Sequence, residues 1–220
     1  MGIITRSAAN NITTGGVILP AGINDASVAS ITDLAQVSAG DGITLISSQT
    51  ASSSASLSFT SGIDSTYRTY MFKFYNCHPA TDGAELQFNF STDGGSNYNV
   101  TKTTTMIVTY HSENDADTSL YYQTADDLAQ STAYQNLVVD IGNGTDESAS
   151  GTLTLFQPSS TTYVKHFLSN SNWYHNGDYS MNAYVGGYAN TTSAINAIRF
   201  QMSSGNIDDG IIKMYGVVKS

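Results

Sequence analysis

Residues 190–220 read NTTSAINAIRFQMSSGNIDDGIIKMYGVVKS, and this stretch decides the fold. Positions 198–202 alternate apolar and polar residues, and a second apolar run occupies 211–218 after a segment rich in Ser, Gly, Asn and Asp. Alternation with a period of two is typical of a strand with one buried face, and the segment between the runs is typical of a turn. We therefore predict a C-terminal hairpin whose last strand lies inside a sheet, where backbone pairing holds the end of the chain in place.

The same alternation recurs along the preceding chain. Residues 54–60 alternate Ser and Thr with apolar residues, and residues 70–74 and 86–90 place large apolar, mostly aromatic side chains at every second position. Turn-forming residues separate about ten such segments, and no fixed period repeats. The sequence therefore predicts an all-β fold: an antiparallel, jelly-roll-like β-sandwich of about ten strands. Its predicted core includes Leu57, Phe72, Phe88 and Phe200.

The first 41 residues have a different composition, small and polar with isolated apolar residues. Asp25 is a candidate N-cap for a short helix, Ala26–Val37. The apolar residues of this helix recur at helical spacing and are Val28, Ile31, Leu34 and Val37. A lone amphipathic helix needs another surface to bury its apolar stripe, so we interpret residues 1–41 as an assembly and attachment arm. Residues 42–220 are then the sandwich domain, and the alternative for residues 1–41 is a disordered leader.

The chain is acidic, with 18 Asp and Glu against 8 Lys and Arg and a formal net charge of -10 over 220 residues. Nucleic-acid affinity comes mainly from neutralising phosphates, so we expect no nucleic-acid partner. Charged residues make up only 12% of the chain, which favours a protein that packs against copies of itself or other subunits. No apolar segment has the length of a transmembrane helix or the character of a secretory signal, so we expect cytoplasmic synthesis without membrane insertion.

The sequence offers no clear metal or cofactor site. The single cysteine, Cys77, excludes an intramolecular disulfide, and neither it nor the four histidines show zinc-ligand spacing. The loop segments 143–147 and 208–209 contain carboxylates that suit calcium, but neither has the register of an EF-hand. Solvated turn residues are the alternative interpretation, and we expect no cofactor.

A catalytic site is not expected either, so we predict that the protein is not an enzyme. The sequence contains no Gly-x-Ser-x-Gly element, and its serines are too common for any one of them to indicate a nucleophile. Glu113, together with the acidic loop residues between Asp115 and Asp127, is the one plausible acid-base set.

Four short segments carry a resemblance to a known group of proteins. They are Ser58-Phe59-Thr60-Ser61-Gly62-Ile63 followed by Tyr67, Gly95-Ser96-Asn97-Tyr98, Asn190-Thr191-Thr192-Ser193-Ala194-Ile195, and Tyr215-Gly216-Val217. Across residues 43–220 the chain resembles virion proteins of tailed bacteriophages, in particular the tail-fibre-like proteins of marine phages and cyanophages. The resemblance implies a β-sandwich on the surface of a virion, made in the cytoplasm of the host.

Aromatic residues in the predicted loops are the best candidates for binding. They lie outside the cleanest alternation, and flat aromatic faces beside Asn and Asp side chains suit sugar rings or a protein surface. In the alternative interpretation, Trp173 caps the core and the tyrosines line a subunit interface. The candidates are Tyr121, Tyr122, Tyr134, Trp173, Tyr174, His175 and Tyr179.

Together these observations predict a structural protein exposed on a phage particle. We expect a tail fibre or tail-associated receptor-binding module that attaches to other virion proteins through residues 1–41. We also expect a homo-oligomer, specifically a trimer, and a glycan or protein of the host surface as the partner. Two alternatives stay open, which are a capsid decoration (cement) protein and a glycan-degrading, depolymerase-like sandwich.

Overall fold

The structure is a computed structural model, and it describes residues 42–219. Every regular secondary-structure element in this range is a β-strand, so the predicted all-β class is confirmed. The structure has twelve strands where about ten were expected, and two of them, β2 and β7, have only three and two residues. The strands are β1 (Ile43–Ser54), β2 (Leu57–Phe59), β3 (Tyr67–Pro79), β4 (Leu86–Ser91), β5 (Lys102–Ser112), β6 (Thr118–Tyr122), β7 (Gln135–Asn136), β8 (Ala149–Phe156), β9 (Lys165–His175), β10 (Tyr179–Ala189), β11 (Ala197–Met202) and β12 (Ile207–Lys219).

The strands form two antiparallel sheets of unequal width. The larger sheet has eight strands in the order β1-β12-β3-β8-β9-β10-β5-β6, and the smaller has four in the order β2-β11-β4-β7. Phenylalanine rings from the two sheets meet between them: Phe59 contacts Phe72 at 5.6 Å, and Phe88 contacts Phe167 at 5.3 Å, between ring centroids. Both contacts are edge-to-face, the arrangement that aromatic quadrupoles favour. The predicted β-sandwich is therefore confirmed.

The core contains the residues that alternation selected. The side chains of Leu57, Phe72, Phe88 and Phe200 are all buried between the sheets. Phe200 on β11 packs against Phe72 on β3 at 5.7 Å, which joins the smaller sheet to the larger one. Fully burying an aromatic side chain of this size stabilises the fold by about 1.5–3 kcal/mol.

The predicted C-terminal hairpin is wrong. β11 lies in the smaller sheet between β2 and β4, whereas β12 lies in the larger sheet between β1 and β3. Residues 203–206 carry the chain from one sheet to the other, and Gly205 supplies a positive φ of 67° there. Both runs alternate because each has one face on the shared core, and that pattern does not reveal which strands are paired. The expectation that the last strand lies inside a sheet is confirmed.

The predicted arm, residues 1–41, with its helix Ala26–Val37, lies outside the described residues. Its interpretation as an attachment segment therefore stays a prediction.

A lysine is buried between β5 and the smaller sheet. The side chain of Lys102 is fully buried, and its Nζ donates to Asn89 Oδ1 at 2.5 Å and to the Val100 carbonyl at 2.9 Å. Next to it, Thr104 Oγ1 donates to Gln135 Oε1 at 2.6 Å. Burial penalises the charged ammonium and lowers the pKa of Lys102 to about 7.

The buried lysine predicts a specific pH dependence of stability. An unfolded lysine titrates near 10.4 and the folded Lys102 near 7, so between these values the unfolded chain binds more protons. The free energy of unfolding should therefore rise with pH from 7 to 10, by at most about 1.4 kcal/mol per pH unit from this residue. Urea unfolding at pH 7, 8 and 9 should show this rise in the native protein and a smaller one in Lys102→Met. Lys73→Met, on the outer face of β3, is the matched control and should keep the native slope. An equal slope in Lys102→Met would contradict the assignment.

Candidate functional site

One end of the sandwich collects acidic loops. The β3–β4, β5–β6, β7–β8 and β9–β10 connections meet there through backbone hydrogen bonds, such as Glu113 N–H to Asp178 O and Asn176 N–H to Asp140 O, both 3.0 Å. None of these connections contains a lysine or arginine. We call this region the acidic end; its carboxylates belong to Asp82, Glu85, Glu113, Asp115, Asp117, Asp140, Asp146, Glu147 and Asp178, with Asp208 and Asp209 at the start of β12.

The start of the described chain lies at the other end of the sandwich. Ile43 pairs with Val217, and Lys219 pairs with Tyr67, so the first residues of β1 and the last residues of β12 are neighbours. β1 then runs the length of the sheet until Ser54 pairs with Ile207 beside the acidic end. At about 3.3 Å per residue, twelve residues separate the two ends by roughly 40 Å.

An aromatic pocket opens at the acidic end. It has a volume of 120 Å³ and is lined by Tyr110, Tyr121, His175, Tyr179 and Met181. Tyr110 lies edge-to-face with Tyr179 at 5.3 Å and with Tyr121 at 6.2 Å, and His175 lies edge-to-face with Tyr179 at 5.5 Å. The pocket therefore has several aromatic walls set at steep angles to one another.

Strand register explains why these rings come together. Tyr110 pairs with Met181, and Met181 pairs with Trp173, so the three strands β5, β10 and β9 place these residues side by side. Successive side chains of a strand alternate between faces, so Tyr179 and Met181 point to the same face of the larger sheet. Met181 and Trp173 are buried, whereas Tyr110 and Tyr179 are half-buried. The pocket thus lies at the outer margin of the core, where the rest of the protein no longer covers the inner face of the larger sheet.

Carboxylates surround the pocket without lining it. The Tyr110 hydroxyl donates to Asp117 Oδ2 at 3.0 Å, and Asp140 Oδ2 lies 3.8 Å from His175 Nε2. Burial raises the pKa of Tyr121, and the negative charges of Asp126 and Asp140 raise it further. The hydrogen bond to Asp117 likewise raises the pKa of Tyr110. The rings therefore lie in a negative electrostatic field.

A second depression of 260 Å³ lies on the opposite, outer face of the larger sheet. Its lining is partly polar and includes Tyr174, whose hydroxyl donates to Asp178 Oδ1 at 3.1 Å. Burial raises the pKa of Tyr174, and the carboxylates of Asp178 and Glu113 add to the effect. The lining residues are Glu113, Asp146, Ser148, Ser150, Asn172, Trp173, Tyr174 and Ser180.

The carboxylates of the candidate acid-base loop have separate partners. Asp115 lies 3.0 Å from His111 Nε2, Asp117 accepts from Tyr110, Asp126 accepts from Asn136 Nδ2 and Asp127 accepts from Tyr122. These hydrogen bonds direct the side chains to different neighbours and do not gather them around Glu113. The loop segments considered for calcium form no cluster either: within residues 42–219, no three His, Cys, Asp or Glu side chains stand close enough together to hold a metal ion.

The structure brings together three of the seven aromatic candidates, namely Tyr121, His175 and Tyr179. Tyr174 belongs to the second depression, and Tyr122 is exposed on the edge strand β6 with its hydroxyl on Asp127.

The remaining candidates lie elsewhere. Tyr134 is half-buried just before β7. Trp173 is a buried core residue, as in the alternative interpretation, and its Nε1 has no hydrogen-bond partner. The arm candidates Val28, Ile31, Leu34 and Val37 lie outside the described residues.

Sequence reasoning missed two members of the pocket, Tyr110 and Met181. Both occupy inward positions of well-formed strands, and alternation assigns such positions to the core. The available signal was the tyrosine itself, because a hydroxyl at the end of a core-facing run needs a polar partner or solvent.

Comparison of the chain with protein-family models, curated proteins and solved structures finds no match to any of them. In the part of the chain that the structure describes, no helix is long and apolar enough to cross a membrane.

The electrostatics of the pocket can be tested at one tyrosine. Asp117→Asn keeps a hydrogen-bond acceptor but removes the charge beside the Tyr110 hydroxyl, so the pKa of Tyr110 should fall towards its ordinary value near 10. An alkaline titration followed by NMR of ring-labelled tyrosine measures this shift. Asp93→Asn, in the β4–β5 loop, is the control and should leave Tyr110 unchanged. Titration of Tyr110 at the same pH in Asp117→Asn and the native protein would contradict this account.

Proposed function

We propose that the protein is a structural protein exposed on a bacteriophage virion, most specifically a tail fibre or a tail-associated receptor-binding module. Residues 1–41 attach it to other virion proteins, and the acidic end meets a glycan or protein of the host surface. The observation that carries this proposal is the position of the aromatic pocket, at the end of the sandwich opposite to Ile43. The strand that follows residues 1–41 in the chain begins at the end opposite to the pocket, and loops on a rigid sheet commonly carry binding residues.

We infer a jelly-roll topology from the strand order. Without the inserted strands β5, β6, β9 and β10, the sheets read β1-β12-β3-β8 and β2-β11-β4-β7. Counted in chain order, these strands are 1-8-3-6 and 2-7-4-5, which is the order of a jelly roll. Virus capsid proteins and lectins use this architecture, which supports a structural or adhesive role by analogy of fold alone.

The outer face of the larger sheet supports self-assembly. From β8 to β6, the outward positions contain no Asp, Glu, Lys or Arg. Several are large and exposed, including Leu168 at 58% and Tyr184 at 54% of their surfaces. We call this surface the charge-free face; it comprises Ser150, Thr152, Thr154 and Phe156 of β8, His166, Leu168, Asn170, Asn172 and Tyr174 of β9, Ser180, Asn182, Tyr184, Gly186 and Tyr188 of β10, Thr103, Thr105, Ile107, Thr109 and His111 of β5, and Thr118, Leu120 and Tyr122 of β6.

The size and composition of the charge-free face fit an interface between copies of this chain. Five strands about 4.8 Å apart and about ten residues long cover roughly 700 Å². A stable protein–protein interface buries about 800 Å² on each partner, and its centre is depleted of charge and enriched in aromatic residues. The chain has a net charge of -10, and on this surface two copies can meet without bringing like charges together. Three copies with this face turned towards a common axis would form the proposed homotrimer.

The same surface favours the second candidate, a capsid decoration protein. A broad sheet face without charge suits a flat position on a lattice of other subunits, with the protein acting as cement. Tail fibre and decoration protein share the architecture and differ in their place on the particle.

The place on the particle tests the function. Antibody raised against the full-length protein should, with immunogold electron microscopy, label the tail of the phage particle. Excess purified protein should slow adsorption of the phage to its host, because it occupies the same surface receptors. Gold over the whole head with unchanged adsorption would instead support decoration and end the receptor-binding proposal.

Self-assembly is tested by placing a charge on the charge-free face. Leu168→Glu adds a carboxylate that must lose its hydration in the interface, which costs several kcal/mol. Light scattering after gel filtration should show a trimer of the 23.4 kDa chain for the native protein and smaller species for the variant. Tyr163→Glu, at a residue 73% exposed and outside the face, is the matched control and should remain trimeric. A native protein that is monomeric at micromolar concentration would end this part of the proposal.

A further inference from the structure

We propose that the aromatic pocket binds a quaternary ammonium group of the type carried by choline. This inference deepens the proposed function, since it names the chemistry recognised by the end of the protein that we propose meets the host. It depends on the walls of the pocket, its size, its hydrogen-bonding state and the surrounding charge.

The walls have the geometry of an aromatic cage. The interplanar angles are 70° between Tyr110 and Tyr121, 81° between Tyr110 and Tyr179, and 89° between His175 and Tyr179. Rings set nearly perpendicular to one another leave a corner in which one group meets more than one π-face. A cation is attracted to the negative face of each ring, and quaternary ammonium ligands are recognised by cages of this kind.

The size of the pocket suits a compact ligand group. Its 120 Å³ is close to the about 150 Å³ of an apolar cavity that holds one benzene molecule. Pockets for drug-sized ligands measure about 300 Å³ or more. The pocket therefore accommodates one compact group at the end of a longer molecule, and a whole sugar residue or peptide side chain with several polar groups fits poorly.

The hydrogen-bonding state of the lining favours a quaternary over a primary ammonium. A primary ammonium has three N–H donors that need acceptors, whereas a quaternary ammonium has none. The lining contains no carboxylate, and the Tyr110 hydroxyl is already engaged with Asp117. Tyr121, His175, Tyr179 and Met181 supply the rest of the lining, and their ring faces and thioether suit methyl groups.

His175 forms one wall of the pocket. Its Nδ1 lies 2.9 Å from the Gly177 backbone N–H, and its Nε2 lies 3.8 Å from Asp140 Oδ2. These contacts hold the imidazole ring in its edge-to-face position against Tyr179.

The surrounding charge attracts cations from a distance. Asp117 and Asp140 lie directly behind the walls, Asp126 acts on the same Tyr121 ring, and the lining has no lysine or arginine. Carboxylates set back from a pocket attract a cation without desolvating their own charge, since they stay hydrated. The aromatic walls and the outer carboxylates thus select for the same ligand.

The test compares four probes on the full-length protein by calorimetry and by NMR of labelled tyrosine rings. The probes are tetramethylammonium, choline, methylammonium and 3,3-dimethyl-1-butanol, which has the shape of choline without its charge. Tetramethylammonium and choline should bind at least about tenfold more tightly than the other two, a factor equivalent to about 1.4 kcal/mol. Equal affinity for choline and its uncharged analogue, or no saturable binding of tetramethylammonium, would overturn the proposal.

Variants locate the binding site. Tyr179→Leu should weaken choline binding at least tenfold, because it removes the ring shared by two edge-to-face contacts. Tyr179→Phe keeps the π-face and should bind almost as well as the native protein, and Tyr163→Leu, outside the pocket, should bind normally. Native binding by folded Tyr179→Leu would overturn the assignment to this pocket. If Tyr179→Leu does not fold, shifts of the Tyr110, Tyr121 and Tyr179 rings in the native protein decide the location, and their absence overturns it.

The results separate this inference from the proposed function. A protein that slows phage adsorption but binds neither ammonium probe fails the inference and leaves the receptor-binding role intact. A protein that binds choline but labels the whole head and leaves adsorption unchanged fails the proposed function, while the ammonium site stands.

Discussion

The unequal width of the two sheets is the constraint on which the rest of the structure depends. The inner face of the eight-stranded sheet is too wide for the four-stranded sheet to cover. The apolar side chains on that face must still be shielded from water. The chain following β7 supplies part of it, because Leu137, Val138 and Val139 are all buried. β7 itself brings Gln135 under Thr104 of β5, and Asn89 of β4 meets Lys102. Polar residues thus fill the margin between the sheets, and each has a hydrogen-bond partner there.

Where this cover ends, the inner face opens into the aromatic pocket. On the inward faces of β5 and β10, Val108 and Ala183 lie in the core. Nearer the acidic end, the same faces of these strands carry Tyr110 and Tyr179, which lie at the margin of the core. A tyrosine suits such a position because its ring packs on the core while its hydroxyl reaches polar partners. The pocket and the core are therefore one continuous surface, and the rigid strands that form the sandwich also fix the ring geometry.

Local alternation predicted the strands and most of the core, as Phe72 and Phe88 illustrate. It failed for the connection between β11 and β12, because two strands on opposite sheets have the same period as two strands of a hairpin. Part of the site was predictable, since Tyr121, His175 and Tyr179 interrupt the pattern near loops. Tyr110 was not, because its position is regular and only the extent of the opposite sheet leaves it half-buried. Trp173 shows the reverse case, a residue near a predicted loop that lies within a longer strand than expected and is buried.

The clustering of carboxylates at one end links the protein to the salinity of its surroundings. If the acidic end meets a bacterial envelope as proposed, it approaches a surface that is commonly anionic, and like charges repel each other. The range of this force is about 30 Å at 0.01 M ionic strength and about 3 Å at 1 M. In dilute medium the field of the acidic end reaches well beyond the loops and would repel an anionic surface. In brine its range shrinks to the size of a single side chain, so only short-range contacts would decide adhesion in the proposed role.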